Sequence, residues 1–171
     1  MVESGDLVSP VTLTFGHSNI IGLCGRPFKD VYHMDTTLIN NWNAKVGKHD
    51  FVIFLGDFCY KGRLSPKNYL DKLNGHITFI RGNHDNNNSL NTYIEDLDIY
   101  IAQKHIHCVH DPADALPQYE INLVGHVHQN WKIDVWKDYQ RNVKVNVGVD
   151  VWNWSPVNIN DILKAIQDFI P

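Results

Sequence analysis

Four short clusters along the chain carry the residue types that bind cations and move protons: Leu55-Gly56-Asp57, Arg81-Gly82-Asn83-His84-Asp85, Val109-His110-Asp111 and Gly125-His126-Val127-His128. A hard or borderline divalent ion takes carboxylate, imidazole and amide-oxygen donors that converge from separate segments. The clusters supply Asp57, Asn83, His110 and His126 as such a set, with His128 close by. His126 and His128 face one site if their segment is extended, and adjacent sites if it turns. His84 follows the amide donor and is left to act on a substrate. Taken singly, a Gly-Asp pair after a strand is usually a turn and a histidine is usually a surface or core residue. Their number and order argue for a site.

Donors scattered this widely must be gathered by a sheet. Apolar runs at Val11 to Phe15, Asp50 to Leu55, His76 to Ile80, His105 to His110, Ile121 to His128 and Val143 to Val149 are rich in Val, Ile and Phe. Bounded by Gly, Asn, Asp or Pro, they read as strands. The clusters fall at the ends of these runs, where a rigid sheet fixes positions and the loop frees the side chains. Helical spacing runs from Met34 to Val46 with a cap near Asp35, from Ser65 as N-cap with Pro66 in the first position, and from about Asn160 to Phe169. Helix-interleaved strands followed by a mainly β half predict an α/β fold with more than one sheet. Asn86 to Ser89 reads as a short loop.

The chain of 171 residues suits a single domain spanning 1–171. Hydrophobic residues make up 43% and charged residues 20%, as in soluble globular proteins. No apolar run approaches the roughly 18 residues of a membrane span, and the first ten residues lack the pattern of a signal peptide. These features predict a cytoplasmic protein with no membrane partner. Cys24, Cys59 and Cys108 are odd in number and widely spaced, which fits a reducing interior better than a disulfide framework or a zinc knuckle. A net charge of −4 with no basic run argues against duplex nucleic acid as a partner. His33, His49, His76, His105 and His107 read as solvated or packing residues. Trp131, Trp136, Trp152 and Trp154 offer rings on which a base could stack, although packing is the commoner fate of such residues.

In order along the chain, Gly56-Asp57, Gly82-Asn83-His84-Asp85, His110 and Gly125-His126-Val127-His128 resemble the signature of the calcineurin-like metallophosphoesterase superfamily, which runs D-x-H, GD, GNHD, H and GHxH. The opening "FGHSNIIGLCGRPF" and the ending "NVGVDVWNWSPV" are similar to those of small cap-less members, and the resemblance spans roughly Phe15 to Pro156. It implies a four-layer α/β/β/α sandwich of two mixed sheets with metals at the strand ends. It also implies that Asp57 bridges two ions, that Asn83, His110 and His126 complete one of them, and that His128 belongs to the other.

The first motif departs from the family. Where the superfamily has the Asp and His of D-x-H, this chain has Thr12 and Thr14. A threonine hydroxyl is a weak neutral ligand, so the expectation is one firmly bound divalent ion, whether Mn, Ni, Fe, Zn or Mg, and a second weak one. By the same resemblance His84 protonates a leaving group, Asp85 orients its imidazole and His17 lies beside the site; Arg26 and Arg81 are the candidate phosphate clamps, with a surface ion pair the equal alternative for Arg81. The implied activity is hydrolysis of a small phosphate ester by a phosphodiesterase or phosphatase, with nucleotides and cyclic nucleotides among the candidates. The threonines keep open a catalytically impaired relative that binds a nucleotide or a partner protein through the same cleft. A structural mononuclear metal site is a third reading.

Overall fold

The computed structural model describes residues 8–61, 64–85, 90, 92–136 and 138–170. Strands β1 (Val8–Val11), β2 (Phe51–Leu55) and β3 (His76–Ile80) form a three-stranded parallel sheet in the order β1-β2-β3. A five-stranded mixed sheet has the order β4-β5-β6-β8-β7, from β4 (Asp96–Ile101), β5 (Lys104–Val109), β6 (Ile121–Val124), β7 (Ile133–Trp136) and β8 (Tyr139–Asn146). Its central strands β5, β6 and β8 run parallel, while β4 and β7 are antiparallel edges. Helices α1 (Ser18–Leu23), α2 (Val31–Lys45), α3 (Pro66–Leu70) and α4 (Ile159–Phe169) complete the chain.

Alternation along β2 shows how the layers stack. Val52 and Phe54 pack with Met34, Leu38 and Trp42 of α2 in one core cluster. Ile53 and Leu55, on the opposite face of the strand, pack with Ile106, Cys108, Leu123 and Val145 of the second sheet in another. Each large apolar side chain so buried contributes about 1.5–3 kcal/mol. Trp42 is fully buried and its indole N–H donates to the carbonyl of Asn74, so that its polar group is not stranded in the core. α4 lays Ile162, Leu163 and Ile166 on the inter-sheet cluster. No helix among the described residues is long and apolar enough to cross a membrane.

Several elements differ from the sequence expectation. α2 begins at Val31 and is capped by Asp30, whose carboxylate accepts from the His33 N–H. Asp35, expected near the cap, instead accepts from Gly16 N at 3.0 Å and from the Tyr69 hydroxyl at 2.7 Å. β1 stops at Val11, after which Thr12 makes an isolated parallel bridge to Gly148 and Phe15 another to Cys59. α1, β4 and β7 had no clear signal, being short or half-exposed. The loop expected at Asn86 to Ser89 lies outside the described residues. All three cysteines are free thiols.

Candidate metal centre

Parallel strands deliver their C-terminal ends to one rim. Asp57 follows β2, Asn83 and His84 follow β3, His110 follows β5, and His126 and His128 follow β6. Donor atoms of Asp57, His110 and His126 all lie within 4.8 Å of one another. The Asn83 side-chain oxygen stands 3.0 Å from His110 Nε2 and 3.1 Å from His126 Nδ1, and His110 Nε2 is 3.3 Å from Asp57 Oδ2. The four expected ligands of the first ion are therefore brought together.

The chemistry of that set favours a cation. Carboxylate and amide oxygens accept, and a neutral imidazole has one lone pair; packed this closely, they need shared protons or a metal between them. For ligand bonds of about 2.1 Å, neighbouring donors stand about 3.0–3.4 Å apart, which matches these spacings. His110 also has its outer partner, since Nδ1–H donates to the Leu55 carbonyl at 2.6 Å and leaves the Nε2 lone pair to face the group. Burial opposes protonation of His110, but the Asp57 carboxylate and the Leu55 carbonyl outweigh it and raise the pKa. Burial likewise pushes Asp57 up, yet its bond to His110 and the His84 N–H bring the net shift down. Each group thus favours the charged form of the other.

The two loops that carry Asp57 and Asn83 are clasped reciprocally. Asp57 accepts the backbone N–H of His84 at 2.8 Å. Asp85 in return accepts from the N–H groups of Asp57 at 2.7 Å, Phe58 at 3.2 Å and Gly82 at 2.8 Å. Charge-assisted bonds of this kind are the strong ones, and they hold Asp57 at φ 62°, a left-handed conformation. Gly56 and Gly82 make the approach possible, because a Cβ on Gly56 would lie 2.5 Å from the Gly82 Cα. Asp85 was expected behind the His84 imidazole; its carboxylate is instead taken up by the backbone around Asp57.

The other side of the rim is built differently. The Thr12 hydroxyl donates to the Gly56 carbonyl at 2.9 Å, and the side chains of Thr12 and Thr14 are buried. His128 Nδ1 lies 3.8 Å from the Asp150 carboxylate. That carboxylate is gripped by Arg26, with Nε to Oδ1 and Nη2 to Oδ2 both at 2.8 Å and both side chains almost wholly buried. Arg26, expected as a phosphate ligand, is thus committed to Asp150 and turns Nη1 onto the Met34 sulfur. Burial raises the Asp150 pKa, but His128 and Arg26 outweigh it and hold the carboxyl below its usual range. Nothing local in the sequence announces Asp150, whose partner is 124 residues away.

The residues expected to face a substrate lie around the centre. His17 caps α1, its Nδ1 accepting the Ile20 N–H, so the neutral ring carries its proton on Nε2 and can donate there. Burial lowers the His17 pKa, reinforced by the charges of Arg26, His84 and His128. Arg81 pairs with Glu95 at 2.6 Å and lines a 290 Å³ cavity shared with Asn83, His110, Asp111 and Asp114. Tyr60, which the sequence reading passed over, has its ring 4.6 Å from that of His17 and 5.1 Å from that of His84. The tryptophans pack. Trp131 and Trp136 cover Val109 and Val124, Lys132 sits over Trp152, and Trp154 meets Phe28 and Arg26. His107 is buried against Asp98 and Tyr119, away from these groups.

A model of the calcineurin-like phosphoesterase family matches residues 22–168, a span that contains all four clusters and excludes Thr12, Thr14 and His17. An uncharacterized protein of Methanocaldococcus jannaschii is 37% identical over 160 residues, 90% of this chain and 86% of that protein. Among solved structures, a protein of unknown function from Aquifex aeolicus superposes with a TM-score of 0.70 at 23% identity, covering 92% of this chain and 99% of the other. Vps29 from Chaetomium thermophilum shares the fold at a TM-score of 0.50 and 12% identity, over 84% of this chain and 71% of its own.

Proposed function

We propose that this chain, which belongs to the calcineurin-like phosphoesterase family, hydrolyses a small phosphate ester with one divalent ion held by Asp57, Asn83, His110 and His126. The carrying observation is the convergence of a carboxylate, an amide oxygen and two imidazole nitrogens, with gaps of 3.0, 3.1 and 3.3 Å among them. Bound there, the ion supplies Lewis acidity to the phosphoryl group and acidifies the attacking water. Everything else falls to the chain. His17 offers Nε2–H to a phosphate oxygen. His84, with its backbone pinned to Asp57 and its side chain exposed, is placed to give a proton to the leaving oxygen. Arg81, at the mouth of the adjoining cavity, is the available guanidinium for a second anionic group, in exchange for Glu95. Nucleotides stay among the substrates, bound without a tryptophan platform.

The second ion expected of the family is weak or missing in this proposal, because Thr12 spends its hydroxyl on Gly56 and Arg26 neutralises Asp150. That same feature favours a second reading, an impaired relative that binds a phosphate ligand or a partner protein in the cleft without turning it over. Elemental analysis after dialysis, paired with hydrolysis of a nitrophenyl phosphodiester before and after chelation, separates the two. One retained ion and chelator-sensitive turnover support the enzyme. One ion without turnover supports the binder, and no ion sinks both.

A further inference from the structure

One face of α2 enters the core through Met34, Leu38 and Trp42. Val31, Asp35 and Ile39 follow at four-residue intervals and share the neighbouring stripe of the helix. There they line a 280 Å³ cavity, together with Tyr69 of α3 and Gly16 of the turn before α1. Exposed Tyr32 and Leu64 mark its opening to solvent. The lining is mainly apolar, and among its described residues the only acid is Asp35.

That carboxylate lacks a counter-charge. One oxygen accepts from Gly16 N at 3.0 Å and the other from the Tyr69 hydroxyl at 2.7 Å. Both donors are neutral, and an ionised carboxylate has about four lone-pair sites, so half remain. No cation among the described residues forms an ion pair with it; Lys72, also on the lining, helps only through its charge. Burial raises the Asp35 pKa more than these neighbours lower it. Asp57 and Asp150 are enclosed as well, but there His110, and His128 with Arg26, outweigh burial and the shift is downward. A buried carboxylate without an opposite charge carries a desolvation cost that a bound cation relieves. The seat is rigid, since Tyr69 stacks on Phe15 with centroids 4.7 Å apart and planes at 11°.

We propose that this cavity binds a small organic cation, its ammonium head on Asp35 and its apolar body between Val31, Ile39 and Leu64. The volume lies at the lower end of the roughly 300–1,000 Å³ of ligand pockets, which suits a body of a single ring. A bare metal ion leaves the apolar lining unused, and a peptide exceeds the space. The cavity shares no lining residue with Asp57, His110 and His126, so the inference stands apart from the phosphoesterase reading.

Titration calorimetry with amide NMR of the full chain compares three probes of one shape: phenethylammonium, phenethyl alcohol and phenylpropionate. The cation should bind roughly 10- to 100-fold tighter than the alcohol, the difference made by a hydrogen bond to a charged group, and the acid should bind least. The Gly16 and Ile39 amide signals should move. Asp35→Asn should bring the cation and the alcohol level. Lys72→Met, at an exposed position, should tighten binding of the cation alone, since it removes a competing charge. Equal affinity for cation and alcohol in the parent, an Asp35→Asn chain that still prefers the cation, a Lys72→Met chain that binds it no tighter, or shifts centred on His126 overturn the proposal. Failure of all three probes to bind overturns it as well. The three-probe comparison and Lys72→Met decide the matter even if Asp35→Asn folds poorly.

Discussion

The two sides of the rim use the same scaffold, the C-terminal ends of parallel strands, and reach opposite results. Around Asp57, Asn83, His110 and His126 the groups that face one another are mostly acceptors, and they stay at 3.0 to 3.3 Å with nothing but shared protons to reconcile them. Around Thr12, His128 and Asp150 every strong group has found a complement within the chain: hydroxyl to carbonyl, guanidinium to carboxylate. Convergence of polar residues is therefore a poor sign of a metal site by itself. What distinguishes the first side is that most of its facing groups accept, so that only shared protons or a cation can reconcile them.

The comparison breaks first at Asp57. Asp57→Asn removes the charge that holds the first side together, and metal affinity measured by titration should fall by more than about 100-fold, since even residues behind a ligand are worth 10- to 100-fold. Turnover should vanish with it. Next, His84→Ala should lower turnover of an alkyl ester by roughly 10²–10⁴ and that of a nitrophenyl ester far less, with the metal retained. Equal loss on both would remove His84 from proton delivery.

On the other side the expected losses are of stability. Arg26→Met strands a buried carboxylate and should cost about 3–5 kcal/mol in denaturant unfolding while the first ion still binds. Because the Asp150 pKa is lowered in the folded chain, its ionisation stabilises the fold above the ordinary carboxylate pKa of about 3.9 and that contribution is lost as the pH falls through the folded value. Asp150→Asn should accordingly flatten the acid limb of stability against pH. Thr12→Val keeps shape but leaves the Gly56 carbonyl without its donor, for about 1–3 kcal/mol.

The smallest change expected is a gain. Thr12→Asp with Thr14→His should add a second ion and raise metal-supported hydrolysis several-fold, with the single changes giving less. Thr12 lies beside the Asp57 turn and against Gly125, next to His126, so a carboxylate there faces the right neighbours. A folded double variant with no extra metal would mean that the Arg26–Asp150 pair already supplies what that side tolerates.

The first side was legible because its donors sit in short local motifs, Gly-Asp, Gly-Asn-His-Asp and Gly-His-x-His, each at the end of a Val- and Ile-rich run. The second side was legible as His128 of the Gly-His-x-His motif and as an absence at Thr12 and Thr14. Its real bond, Arg26 to Asp150, joins residues 124 apart, and neither flank suggests the other. Tyr60 was missed because a tyrosine after a strand usually packs, and only strand order brings it between two histidines. Asp35 misled because acidic residues cap helices, whereas here the cap is Asp30, four residues before Met34, and Asp35 is spent on Gly16 and Tyr69. The edge strands β4 and β7 escaped since an edge needs little apolar surface, as in the alternating Asp-Leu-Asp-Ile-Tyr-Ile of β4.

Backbone shape sets how freely each position can change through mutation. Asp57, His126 and His128 have φ of 62°, 65° and 47°, a region that most side chains enter at a cost of about 1–2 kcal/mol and that Asn, Asp, His and Gly tolerate best. At those three positions the alphabet is narrowed before any chemistry is considered; Asp57→Glu would keep the same charge and still be refused by the turn. Thr12 and Thr14 are not among the residues of positive φ. The turns thus restrict those three positions through backbone shape, whereas on the stretch after β1 the restriction comes from burial and from the bond of Thr12 to Gly56.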